Sequence, residues 1–198
     1  MPCAFFLAIQ ELVAIEILTH NFSFVKDYAG KFVSLVKSMS KGFDQIRLVF
    51  DRYLESSLKS RTRSKRTGGK EVQYKITDET NIEQIPLKEL ISHVKTKQDL
   101  TIFLAKHVIN RFNESGTNFV VTYDVCSETN LENYPSEMLQ HDHEEADTLL
   151  ILQAIDAAKA DPFRECVVYS PDTDVFLLLI YYYESLPQVI VFLKLKSI

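Results

Sequence analysis

Residues 144–179 read EEADTLLILQAIDAAKADPFRECVVYSPDTDVFLLL, and the change of pattern along this stretch sets the fold class. Glu145 to Lys159 places Leu149, Leu150, Leu152, Ile155 and Ala158 at helical spacing, a helix with one core face. Pro162 follows as a break, and Cys166 to Tyr169 is a short β-rich run. Ser170-Pro171 turns the chain, and Val175 to Tyr183 reads as helix again. A strand this apolar has no wet face. Helices on either side of it in sequence predict a mainly parallel central sheet with both faces covered, an α/β fold.

The same alternation extends in both directions. Downstream, Pro187 is a break and Val189 to Leu195 a strand. Upstream, Phe119 to Tyr123 (FVVTY) and Ile46 to Phe50 (IRLVF) are buried strands. Helices are expected at Phe24 to Met39, Leu87 to Val94 and Asp99 to Phe112, with Gly42 and Gly116 closing two of these units. Glu71 to Ile76 reads as a short strand, and Ser127 to His143 as polar and irregular. Phe5 to Leu18 has mixed helical spacing, so residues 1–23 are expected to form an N-terminal helix ahead of one domain at 24–198.

Composition agrees with a globular domain. The chain has 198 residues, 46% hydrophobic and 25% charged, which excludes a wholly disordered or fibrous protein. No apolar run reaches the length of a membrane span, and Gln10, Glu11 and Glu16 interrupt the apolar start where a secretory leader would need continuity. Three cysteines without close spacing argue against a disulfide framework or a thiolate zinc site and for a reducing interior, nucleus or cytoplasm.

The net charge of −5 conceals a segregation. Lys59 to Lys70 (KSRTRSKRTGGK) carries six bases and no acid, the centre of a basic arm at about 56–71. Phe112 to Ala158 carries ten acids and neither Lys nor Arg. The arm suits a polyanion, and the acidic stretch suits cations. Solvated loops of each sign are the simpler alternative.

The acids that carry information sit where elements begin or end. Asp51 follows IRLVF, Asp172 and Asp174 follow the strand ending at Tyr169, and Glu144, Glu145 and Asp147 open a helix. Parallel α/β sheets bind ligands at the carboxyl ends of their strands, so these acids converge if the strands are neighbours. Two carboxylates about 4 Å apart repel by about 4 kcal/mol at an effective dielectric near 20. A cluster of them therefore calls for a cation, and all-oxygen ligands suit Mg²⁺ or Mn²⁺. A pair of such ions is a device for hydrolysing phosphodiesters. Each acid taken alone also has an ordinary explanation, as a helix cap, a dipole partner or a turn residue. Glu145 and Asp147 share one site only if Glu145 lies at the cap, outside the regular helix.

Glu145-Ala146-Asp147, Asp172-Thr173-Asp174 and Val49-Phe50-Asp51-Arg52 together resemble the acidic core of the 5′-nuclease and flap-endonuclease superfamily, which has the PIN-like (Rossmannoid) fold. The chain is more similar still to a group of animal proteins, frequent in marine invertebrates and associated with mobile elements. These share V-F-D-R-Y, H-E-E-A-D-T and S-x-D-T-D-V motifs, here VFDRY (Val49–Tyr53), DHEEADT (Asp142–Thr148) and SPDTDV (Ser170–Val175). The resemblance spans roughly Phe24 to Phe192. It implies a divalent-metal-dependent nuclease acting on DNA or RNA. Asp51, Glu145, Asp147, Asp172 and Asp174 would be the catalytic metal ligands, and Arg52, Lys59, Arg61, Arg63, Lys65 and Arg66 would hold the phosphate backbone.

The chain also departs from that pattern. No strand ending in Asp is legible before Lys26, Thr148 stands where a second Asp is expected, and no G-x-D motif follows the last strand. The expectation is thus a truncated domain. A catalytically inactive PIN-like module binding nucleic acid or protein, and a mobile-element remnant, stand as alternatives. His141-Asp142-His143 lacks a further ligand nearby, and Tyr181 to Tyr183 are expected to place two rings in the core and one in solvent rather than to stack on bases.

Overall fold

The apolar start of the chain is a strand. In the computed structural model, which describes residues 3–9, 22–53, 72–113, 116–131, 145–160, 165–170, 172–186 and 189–194, β1 (Cys3–Ile9) lies inside the sheet, hydrogen-bonded on both sides. The helix expected over Phe5 to Leu18 is corrected over Phe5–Ile9, and residues 10–21 lie outside the described ones. The physical reason is that an unbroken apolar run has no period with which to tell helix from strand. Parallel neighbours on both flanks decide it. Leu7 is in register with Leu48 of β2 (Gln45–Phe50) on one side and with Tyr169 of β5 (Glu165–Ser170) on the other.

The sheet has six strands in the order β4-β3-β2-β1-β5-β6, with β3 at Asn118–Tyr123, β4 at Cys126–Thr129 and β6 at Val189–Lys194. It is a mixed sheet: the parallel pairing expected holds for β1/β2, β1/β5, β2/β3 and β5/β6, and the edge pair β3/β4 departs from it by running antiparallel. The antiparallel edge comes from a tight hairpin. Asp124 turns the chain with φ of 50°, a left-handed conformation that a short polar side chain tolerates. β4 falls in the stretch expected to be irregular, because Cys-Ser-Glu-Thr offers no apolar alternation to read.

The helices cover the two faces of the sheet. α1 (Val25–Met39) buries Val25, Tyr28, Ala29, Phe32, Val33 and Val36, a stripe at helical spacing. Its N-terminus is held by Asp27, whose Oδ2 accepts from the Phe24 amide at 3.1 Å, and Gly42 ends the unit with φ of 92°. After the single turn of α2 (Leu87–Leu90), α3 (Val94–Phe112) is capped by His93, whose Nδ1 accepts from the Lys95 amide at 3.1 Å. These helices pack on one face against Ile46, Leu48, Phe50, Phe119 and Val121. α4 (Ala146–Ala160) and α5 (Thr173–Tyr181) pack on the other, against Ala4, Val49, Cys166 and Val168.

Val72–Ile76, expected within a strand, forms none. Tyr74 is tied instead to α3, its amide donating to Thr96 Oγ1 at 2.9 Å. Cys3, Cys126 and Cys166 form no disulfide, and among the described residues no helix is long and apolar enough to cross a membrane.

One polar element of the core fixes the site described next. Arg47, 1% exposed, sits in the middle of β2 on the α4 side. Its Nη1 donates to the Gln153 carbonyl at 3.1 Å, to Gln153 Oε1 at 2.7 Å and to Asp156 Oδ2 at 2.7 Å. Gln153 Nε2 in turn donates to Thr122 Oγ1 of β3 at 3.0 Å, and Thr122 shares a hydrogen bond of 2.7 Å with Ser127 of β4. A buried arginine needs its charge matched, and Asp156 supplies the match through Nη1, while Nε makes no hydrogen bond among the described residues. This network sets the position of α4 on the sheet.

Candidate functional site

Asp51 is the first residue beyond β2, and its Oδ1 accepts from the Ala146 amide at 2.8 Å. The two residues are 95 positions apart, yet Asp51 acts as a cap for α4. Arg47 lies on β2 and Asp51 directly at its end, and Gln153 and Ala146 lie on one helix. β2 therefore holds α4 at two points and sets the direction in which its N-terminus faces. The orphan amides and positive end of a helix dipole favour an anion there.

Glu145 lies outside the regular helix, as its sharing a site with Asp147 requires. α4 begins at Ala146, and the Leu149 amide reaches back to the Glu145 carbonyl at 3.4 Å. Asp147, in the first turn, is 8% exposed. On the neighbouring strand, β5 delivers the other pair. Ser170, fully buried at its end, accepts from the Asp172 amide at 3.2 Å. Asp172 caps α5, its Oδ1 accepting from the Asp174 amide at 2.9 Å. The turn is thus pinned from both sides.

The electrostatics of Asp147 tie these segments together. Burial first, and then the charges of Asp172, Asp51, Glu145 and Asp174 in that order, together push its carboxyl up to about 7 from an ordinary 3.8. Asp51, Glu145, Asp172 and Asp174 therefore lie within electrostatic reach of Asp147. These five acids come from three separate segments and lie near the carboxyl ends of β2 and β5. β1 lies between these strands, and the sheet order reverses at β1/β5, the position where doubly wound sheets carry ligands.

The donor set is all carboxylate, which suits a hard divalent cation, and such a cation would offset the mutual repulsion recorded at Asp147. The arrangement is gathered but open. Among the described residues, no three His, Cys, Asp or Glu side chains stand close enough to hold an ion.

The basic residues divide. Arg52 is described, and its Nε pairs with Asp124 Oδ1 at 3.2 Å, bridging the ends of β2 and β3; Gln98 Nε2 approaches the same oxygen at 3.5 Å. Lys59, Arg61, Arg63, Lys65 and Arg66 lie outside the described residues, as does His141-Asp142-His143.

Sequence reasoning missed Ser170, Asp124 and Lys97. Lys97 is 9% exposed, with its Nζ 4.3 Å from the centre of the Tyr53 ring. Its signal was a lysine on the same helical face as Thr101 and Leu104, but the helix was expected to begin only at Asp99. Neither a scan of protein-family models nor comparison with curated proteins and with solved structures finds a match to the chain.

Proposed function

We propose that the chain is a PIN-like, divalent-metal-dependent nuclease domain that hydrolyses phosphodiester bonds of nucleic acid. One observation carries this reading: Asp51, Glu145, Asp172 and Asp174, from three distant segments, act on a single buried carboxyl, Asp147, at the carboxyl edge of the sheet. Chance placement of helix caps would not focus them on one group. These five residues would hold Mg²⁺ or Mn²⁺, which when bound would neutralise charge on the phosphodiester and supply activated water.

The chain's own contributions are positional. Asp51 fixes the N-terminus of α4, Asp172 fixes that of α5, and both dipoles point into the acidic edge. Asp147 is partly protonated near neutral pH, and a bound cation would favour its ionised form. The basic arm around Lys59 to Arg66 would follow the phosphate backbone without reading bases.

The test is cleavage of flap, hairpin and single-stranded DNA and RNA with Mn²⁺, run beside calorimetric Mn²⁺ binding. Asp172→Ala should lose cleavage and weaken metal binding together. Equal cleavage by parent and variant removes the assignment. The bond between Ala146 and Asp51 favours a second reading, a non-catalytic PIN-like module, because it gives Asp51 a structural task that needs no ion. Mn²⁺ binding without cleavage of any substrate selects that one.

A further inference from the structure

The helix that follows the Asp172/Asp174 turn is apolar beyond what its own core uses. Val175 and Leu179 are buried, yet Phe176, Leu177 and Ile180 on α5, with Tyr181, Tyr182 and Tyr183 at its end, are 40% to 79% exposed. At about 150–250 Å² for each large aromatic ring and somewhat less for Leu177 and Ile180, these six side chains together leave roughly 600 Å² of surface open. A monomer's largest apolar patch is about 300–600 Å² and is often functional, and a stable interface takes about 800 Å² from each partner.

A second feature adjoins the patch. β6, with sequence VIVFLK, ends the sheet order, and among the described residues it pairs with β5 alone. Phe176 of α5 packs on Phe192 of β6 with ring centres 5.6 Å apart, so patch and strand edge form one surface. An apolar strand edge left open is a template for pairing with another strand.

From these we infer that α5 and β6 form the interface of a symmetric dimer, with a second copy of this chain as the occupant. Antiparallel pairing of β6 with its copy is self-complementary and closes about a two-fold axis. An axis perpendicular to the sheet keeps both α5 helices on the same face, where their exposed residues meet. The area argues for this occupant, since the helix patch approaches what a stable partner buries and strand pairing supplies the remainder. Charge argues against the alternatives: residues 172–186 contain Asp172, Asp174 and Glu184 and no Lys or Arg, which disfavours both a polyanion and an anionic lipid surface. The two acidic edges would then lie at opposite margins of a continuous sheet, so the dimer does not depend on the catalytic reading.

The test is sedimentation equilibrium of the 198-residue chain over a wide concentration range, with Leu177→Glu, Ile180→Glu and, as control, Leu152→Glu on α4, where Leu152 is exposed and not on the core face expected of it. The parent and the control should be dimeric, and added salt should tighten association. Leu177→Glu and Ile180→Glu should each weaken it by about thirtyfold, the effect of losing one anchor residue, with unchanged circular dichroism. A parent that stays monomeric, or variants that dimerise as the parent does, overturns the inference. A parent whose association weakens with salt does so too, since the contact would then be ionic.

Discussion

Replacing Asp147 by asparagine keeps the shape of the side chain and removes its charge. The consequence follows from linkage. Below pH 3.8 the carboxyl is protonated in the folded and unfolded chain alike, and the charge penalty is absent. Between 3.8 and about 7 the unfolded chain gives up a proton that the folded chain retains, so stability falls as pH rises. Above about 7 both states are ionised and the penalty is complete. A rise from 3.8 to about 7, at 1.36 kcal/mol per pH unit, amounts to about 4 kcal/mol. Asp147→Asn should therefore stabilise the metal-free protein, and its advantage should grow by about 3 kcal/mol between pH 5 and pH 8. Urea unfolding followed by circular dichroism measures this, a suitable probe for a chain without tryptophan. Mn²⁺ at pH 8 should stabilise the parent and leave the variant nearly unchanged. An advantage equal at pH 5 and pH 8 would show that Asp147 ionises normally and that the acids do not act on it. The argument for a shared site would then fail.

Other outcomes follow from the same contacts. Arg47→Met should destabilise the fold by about 3 kcal/mol in urea unfolding, because Asp156 and Gln153 lose their buried partner; Arg47→Met with Asp156→Leu should recover part of that loss. Asp51→Ala should cost about 1–2 kcal/mol through the α4 N-terminus, and faster amide exchange at Ala146 would report the lost cap. Replacing Lys59, Arg61, Arg63, Lys65 and Arg66 by serine should weaken binding to any nucleic-acid sequence. It should also flatten the plot of log affinity against log salt by up to about 4.5, with fluorescence anisotropy as the measurement.

Much of this molecule follows from local pattern. The periods of Phe24 to Met39 and of Glu145 to Lys159, the apolar runs IRLVF, FVVTY and CVVY, and the acids at their ends were legible from residue types and spacing alone. Such features are decided within a few residues of themselves. Pairing is decided elsewhere. Cys3–Ile9 is a strand because β2 and β5 flank it, and Cys126–Thr129 because a turn at Asp124 returns it to β3. Arg47 lies within a run that reads as plain strand, and only α4, more than a hundred residues later, supplies Gln153 and Asp156 to match its charge. The acids could be named from sequence, but their meeting could not, since Coulomb interaction depends on distance in space and that distance is set by sheet order.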